Sequence, residues 1–88
     1  MLNDLKNCFF GGYSRIDTLR YIDKLTKELE MLEVAKENKS KGMEYTVPHH
    51  TEKVNLGNSL FGGYDKNDVD SFVNDILQRI DELRNEIE

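Results

Sequence analysis

The chain has 88 residues and a net charge of -5, with 38% hydrophobic and 33% charged residues. A chain of this length forms one domain at most and buries a small core, which favours association with a partner. The acidic balance argues against a nucleic-acid groove, and no stretch approaches the ~20 apolar residues that span a bilayer. Because the first residues also lack the pattern of a signal peptide, we expect a cytoplasmic protein whose helices share a narrow apolar seam.

The two halves of the sequence are repeats. Residues 10–13 and residues 61–64 both read Phe-Gly-Gly-Tyr, and the same offset of 51 pairs identical residues elsewhere. Identical pairs outside this motif include Leu5/Leu56, Asn7/Asn58, Asp17/Asp68 and Leu32/Leu83. The repeats divide the chain into a first turn-helix unit at 1–36, a polar linker at 37–55 and a second turn-helix unit at 56–88.

Each unit is predicted to begin with a turn that leads into a helix. Ser14 and Asp65 are good N-cap residues, and Asp17 and Asp68 follow at the third helical position, as in a capping box. Glycine pairs precede the caps and favour turns, because glycine accepts positive φ. These turn residues are Gly11, Gly12, Gly62 and Gly63.

Beyond the caps, apolar residues recur at alternating spacings of four and three, which is the pattern of a heptad seam. A seam shorter than three heptads fits a short coiled coil and also an amphipathic helix in an ordinary small bundle. The predicted seam consists of Ile22, Leu25, Leu29 and Leu32 in the first unit, and of Val69, Val73, Ile76, Ile80, Leu83 and Ile87 in the second.

The linker is polar, and Ser40, Gly42 and Pro48 are expected to break any helix in it. Its length lets the chain return to its starting end, so we expect the two helices to lie parallel, although a homodimer of the same units is also open. Residues 43–47 are expected to be irregular. The adjacent His49 and His50 are expected to be solvated, because zinc needs four converging ligands.

The sequence carries no recognisable catalytic motif. Phe-Gly-Gly-Tyr lacks the Lys-Ser/Thr of a P-loop, and the helix carboxylates, including Glu28, are expected to form solvated surface. Cys8 is interpreted as a small apolar residue. We therefore expect a protein that is not an enzyme and that has no cofactor, metal or small-molecule substrate.

Residues 61–73 read Phe-Gly-Gly-Tyr-Asp-Lys-Asn-Asp-Val-Asp-Ser-Phe-Val. This segment resembles the N-terminal domain of the DivIVA/GpsB family, whose pattern is Phe or Leu, Arg, Gly, Tyr, Asp or Asn, two polar residues, Glu, Val, Asp, any residue, Phe, Leu. The first unit matches more loosely and has Leu19 where the pattern has Asp. The resemblance implies a bacterial scaffold of cell division, polar growth or wall synthesis, built as a parallel coiled-coil dimer.

The family resemblance implies two modes of contact. In one, a phenylalanine at the turn inserts into the membrane surface. Phe10 and Phe61 occupy that position, but Gly11 and Gly62 replace the Arg that the family places beside it. This mode implies a peripheral location at a membrane or division site.

In the other mode, the turn tyrosine and acidic residues of the following helix form a groove for basic cytoplasmic tails of membrane or cell-wall enzymes. Tyr64 and Asp70 match this pattern, with Asn74 where a second carboxylate is usual, and Tyr13 and Asp23 match it in the first unit. An acidic groove of this kind binds Arg through charge-assisted hydrogen bonds. The alternative is that the tyrosines only staple the helix starts.

The fold expected from sequence and resemblance together is all-α. The family has one unit per chain and dimerises it, so we expect the two units here to pair as a short parallel coiled coil, within one chain as a pseudo-dimer, between chains, or both. Self-association is expected, and no nucleic-acid partner.

Overall fold

The computed structural model describes residues 5–88, with the backbone alone for residues 7–10. In chain order its elements are β1 (Asn7–Phe10), α1 (Arg15–Ser40), β2 (Phe61–Tyr64) and α2 (Lys66–Ile87). The described part of the chain is mostly helical and has two helices, in line with the predicted class.

Both helices begin at the predicted caps. The Ser14 hydroxyl accepts a hydrogen bond from Asp17 N–H at 3.5 Å, and the Asp65 carboxylate accepts one from Asp68 N–H at 3.0 Å. These bonds satisfy amide donors that the first helical turn leaves without an intrahelical partner. Asp68 Oδ2 in turn accepts from Lys6 N–H at 3.1 Å, which ties the start of α2 to the first unit.

The two units also form a small antiparallel sheet, which the sequence did not predict. β1 pairs with β2, and Phe10 lies opposite Phe61. The predicted turn at Gly62 and Gly63 is therefore wrong, since both residues lie inside β2. Gly62 keeps the positive φ that favours glycine, at +70°, and Gly11 after β1 matches it at +69°. Each strand has only four residues and pairs with a strand from the other half of the chain, so neither shows a local periodicity in the sequence.

The helices run side by side in the same direction. Near their starts, Tyr13 bonds to Asp70; near their ends, Lys36 pairs with Glu86 at 2.6 Å. Helix α1 continues to Ser40, four residues past the predicted end of the first unit. Lys39, in this extra turn, donates to the carbonyl of Ile87 at the end of α2.

The core lies along the facing sides of the two helices. Leu25, Leu32, Ile80 and Leu83 are completely or almost completely shielded from solvent, and Leu29 is partly buried against them. The other predicted seam residues are also buried, namely Ile22, Val69, Val73, Ile76 and Ile87.

The segment after α1 has no regular structure until β2, apart from single bridging contacts, and this includes residues 43–47, as predicted. It returns along α1, where Val47 packs against the core. Helix α1 consequently buries a second row of residues, which includes Tyr21 and Glu28. The prediction that Glu28 is solvated is wrong, because the returning segment covers it and leaves it 3% exposed.

Candidate functional site

The two units meet symmetrically at one end of the molecule, which we call the tip. Tyr13 N–H donates to Tyr64 O at 2.9 Å, and Tyr64 N–H donates to Tyr13 O at 3.1 Å. These residues occupy the same position in the two repeats, as do Phe10 and Phe61, which are paired in the backbone register of the sheet. An approximate twofold axis therefore passes through the tip and relates the two units.

Side chains at the tip are related by the same approximate twofold axis. The Arg15 guanidinium lies 5.0 Å from the centre of the Tyr64 ring, and the Lys66 ammonium lies 5.4 Å from the centre of the Tyr13 ring. Arg15 and Lys66 are equivalent in the repeat, so each tyrosine ring receives a cation from the other unit. Cation–π contacts of this kind contribute about 0.5–1 kcal/mol at exposed sites.

A groove of about 690 Å³ opens on one side of the tip. Its walls come from the tyrosines of the first unit, from the first three turns of α2 and from the end of the returning segment. The lining residues are Tyr13, Tyr21, Lys53, Val54, Asn55, Leu56, Asp70, Val73, Asn74 and Leu77. Its buried lining residues, Tyr21, Leu56 and Val73, form a mostly apolar floor, and the exposed Lys53, Asp70 and Asn74 form a polar rim. This arrangement is suited to an amphipathic side chain.

The polar rim is organised by one hydrogen bond. Tyr13 Oη donates to Asp70 Oδ1 at 3.0 Å. This bond, with smaller contributions from burial and from the Asp70 charge, raises the pKa of Tyr13, so the phenol stays a donor at neutral pH. Asn74 lies one turn further along α2 and lines the same groove. A carboxylate accepts several hydrogen bonds, so Asp70 retains capacity for a ligand donor.

The structure thus brings together three of the five predicted partner-binding residues: Tyr13, Asp70 and Asn74. The other two lie elsewhere. Tyr64 is 9% exposed and has Arg15 over its ring, while Asp23 forms an exposed ion pair with Lys27 at 3.0 Å.

The two sides of the tip are chemically different, and the difference at the position of Asp70 bears most directly on the groove. Leu19 in the first unit is the counterpart of Asp70, so the twofold relation puts Leu19 where Tyr64 would need a carboxylate partner. The tip therefore has an acidic groove at Tyr13, and the equivalent position beside Tyr64 carries an apolar residue.

Sequence reasoning missed the part of the groove that the returning segment forms. Leu56 is 9% exposed and belongs to the core, and Val54 lies beside it at the groove. The identity of Leu56 with Leu5 was a detectable signal, since Leu5 is buried to a similar extent. The side of α1 on which the segment returns was not detectable, because irregular backbone has no periodicity.

A cluster of polar residues around the buried Glu28 connects the returning segment to both helices. Glu28 Oε2 accepts from Arg84 Nη2 at 2.9 Å and from His50 Nδ1 at 2.8 Å, and Glu28 Oε1 accepts from Thr51 N–H at 2.6 Å. Arg84 also donates to Pro48 O at 2.8 Å. We call these residues the Glu28 cluster. His50, expected to be a solvated side chain, is half-exposed and part of this cluster.

The Glu28 cluster holds its carboxylate in the charged form. Burial alone would raise the pKa of Glu28, but the hydrogen bonds from His50, Thr51 and Arg84 outweigh it and lower the pKa to about 2. Glu28 therefore stays an anion at neutral pH and neutralises the partly buried Arg84. The cluster therefore connects α1, α2 and the segment that lines the groove.

Two exposed apolar residues lie at the tip, where β2 begins. Leu60 is 82% exposed and Phe61 is 68% exposed. The side chain of Phe10, the other predicted membrane contact, and that of Cys8 lie outside the described residues. Apolar side chains with this much exposure are candidates for contact with a partner or a lipid surface.

Comparison of the chain with protein-family models, with curated proteins and with solved structures finds no match. Among residues 5–88, no helix is apolar over a length sufficient to cross a membrane. That part of the chain also brings together no group of three or more His, Cys, Asp or Glu side chains able to hold a metal ion.

Proposed function

We propose that the protein is a non-enzymatic scaffold or adaptor whose two repeats pair as a short parallel coiled coil within one chain, and whose tip binds the basic tail of a partner protein. The observation that carries this proposal is the Tyr13–Asp70 bond at the rim of the groove. It pre-orients a carboxylate beside Asn74, above an apolar floor.

Arginine is the side chain that such a groove fits best. Its guanidinium donates charge-assisted hydrogen bonds to a carboxylate such as Asp70, and its methylene stem covers apolar surface such as that of Leu77. The net charge of -5 adds a general attraction for basic peptides. Lys53 on the opposite wall limits this attraction to the α2 side of the groove.

The resemblance to the DivIVA/GpsB family supports a partner class. It points to cytoplasmic tails of membrane or cell-wall enzymes in a bacterium, and to a location at the division site or membrane periphery. The resemblance rests on residues 61–73, which include Tyr64 and Asp70. Here the groove uses Asp70 with Tyr13 of the other unit, as in a dimer whose two subunits have been joined in one chain.

The test is fluorescence anisotropy with a short arginine-containing peptide and with its lysine-substituted version. We expect Asp70→Asn to weaken binding of the arginine peptide about tenfold or more, because a hydrogen bond to a charged group contributes about 1.5–3 kcal/mol. Asp23→Asn is the matched control, because it makes the same change on an exposed residue outside the groove. Equal losses for the two variants would contradict binding in the groove.

A second candidate function is peripheral membrane attachment, and the exposure of Leu60 and Phe61 favours it. Gly62 stands in the sequence where the family places an Arg, and Arg15 of the other unit donates its Nε–H to the carbonyl of Gly62, so a cation lies close to these apolar side chains. Co-sedimentation with anionic liposomes should then be lost in the double variant Leu60→Ser with Phe61→Ser. It should be kept in Met43→Ser, which changes a residue of similar exposure away from the tip. If the unmodified protein does not sediment, this function is excluded.

A further inference from the structure

The side of α1 that faces away from α2 carries exposed residues in an ordered pattern. Two apolar side chains lie at its middle, Met31 at 51% exposure and Val34 at 57% exposure. An ion pair lies on each side of them. We call this surface the outer face of α1 and define it by Asp23, Lys27, Met31, Val34, Glu37 and the C-cap residue Lys41.

The two ion pairs of the outer face have the same order of charge. Asp23 pairs with Lys27 at 3.0 Å, and Glu37 pairs with Lys41 at 2.9 Å. In chain order these six residues read negative, positive, apolar, apolar, negative, positive, and the exposed Glu30 adds one further carboxylate between Lys27 and Val34 on the same side of the helix. Pairs of this kind contribute little to the stability of the chain itself, because all four side chains are more than half exposed.

This order of charges is complementary to itself when a second copy runs in the opposite direction. If the two faces cross near Met31 and Val34, Asp23 lies opposite Lys41 of the second copy, and Lys27 lies opposite its Glu37. The spacings of three and four residues keep these positions on one side of the helix. A parallel arrangement in register would instead put like charges opposite each other, so the charges select the antiparallel one.

We propose that the outer face of α1 is the interface of an antiparallel homodimer, with Met31 and Val34 of both copies at its centre. This contact is distinct from the pairing of α1 with α2 and does not rest on the function proposed for the groove. With a rise of 1.5 Å per residue, the crossing point lies far enough from the tip to separate the two tips by about 50 Å. The dimer presents one groove at each end.

The contact area of two crossed helices is small, so the dimer is expected to be reversible and to weaken at high salt. Sedimentation equilibrium of the full chain at low and at high salt measures this directly. The decisive variants are Lys27→Glu and Glu37→Lys. Each puts like charges opposite each other twice in the homodimer, and each should raise its dissociation constant about tenfold or more.

Mixing the two variants separates this interface from any other explanation. A Lys27→Glu chain and a Glu37→Lys chain are complementary to each other, so the mixture should form a heterodimer at concentrations where each alone is a monomer. The double variant Lys27→Glu with Glu37→Lys should form a homodimer again. Glu82→Lys, which disrupts the exposed Arg79–Glu82 pair on α2, is the matched control and should behave as the unmodified chain does.

Three results would overturn the proposal. The first is an unmodified chain that stays monomeric up to millimolar concentration at low salt. The second is a dimer that persists in both single variants, as expected if chains exchange helices through the buried seam. The third is a mixture of the two variants in which no heterodimer forms. Circular dichroism of each variant checks that the helices are intact.

Discussion

Gly63 lies against the backbone of Tyr13. A Cβ atom at this position would be 2.6 Å from Tyr13 O, and 2.9 Å from Gly12 C and from the Ser59 Cβ. Because two of these neighbours are backbone atoms, they cannot move aside without disturbing the contact between the units. This glycine is therefore required by the close approach of the repeats, whereas Gly62 is favoured by its positive φ in open space.

This difference predicts the effects of two alanine substitutions. Gly63→Ala should lower the free energy of unfolding by about 3 kcal/mol, because the added methyl group pushes the two units apart. Gly62→Ala should cost about 1 kcal/mol, from the φ of +70° alone. Urea unfolding followed by circular dichroism measures both, and similar losses in the two variants would contradict the close approach.

Thr18 is the residue of the first unit that corresponds to Val69 in the second. Both are completely shielded from solvent, and the Thr18 hydroxyl has no hydrogen-bond partner among the described residues. Burial of an unsatisfied hydroxyl is unfavourable. Thr18→Val should therefore raise the free energy of unfolding by about 1 kcal/mol, because it removes the polar atom and keeps the shape.

Thr26→Val is the control for this prediction. The Thr26 hydroxyl donates to Ile22 O at 2.8 Å and is only part-buried, so its removal should not stabilise the protein. In thermal or urea unfolding, Thr18→Val should raise the free energy of unfolding, and Thr26→Val should lower it or leave it unchanged. Equal changes would show that the Thr18 hydroxyl is satisfied in solution.

The local features of the fold could be predicted from the sequence. Ser14 and Asp65 cap their helices by bonds to residues three positions later, and the seam residues follow a period that a single helix enforces. The parallel orientation was also favoured by the linker, whose length allows the chain to return. Each of these inferences depends on residues close in sequence or on chain length alone.

The remaining features depend on contacts between distant segments. Asp70 meets Tyr13, rather than the tyrosine of its own unit, only because the units are related by a twofold axis. Glu28 has the sequence context of an exposed helix carboxylate, and its burial follows from Thr51 and Arg84, which approach from two other segments. The small sheet at the tip arises in the same way, from two short strands without a pattern of their own.

The Glu28–Arg84 pair should contribute far more to stability than the exposed pairs of α1. Its side chains are 2% and 17% exposed, against 62% for Asp23 and 69% for Lys27. Removing either buried partner leaves a charge without compensation, so Glu28→Ala and Arg84→Ala should each cost about 3 kcal/mol. A double-mutant cycle should give a coupling of about 2 kcal/mol for this pair and under about 0.5 kcal/mol for Asp23–Lys27. Similar couplings for the two pairs would contradict the burial of the Glu28 cluster.

The lowered pKa of Glu28 predicts how stability depends on pH. The folded protein holds this carboxylate ionised down to a pKa of about 2, whereas its ordinary value is 4.5. Between these values the unfolded chain binds a proton that the folded chain does not, so stability falls as the pH is lowered. The stabilisation from this group is complete above about pH 5 and is lost towards pH 2, with a size on the order of 3 kcal/mol. Glu28→Gln should flatten this part of the profile in urea unfolding at stepped pH.

Glu86, an exposed carboxylate whose pKa is lowered by a hydrogen bond from Lys36, adds a smaller contribution that salt screens. High salt should therefore leave most of the difference between the pH profiles of stability of the unmodified protein and of Glu28→Gln. Identical profiles for these two proteins would contradict a charged Glu28 in the folded protein.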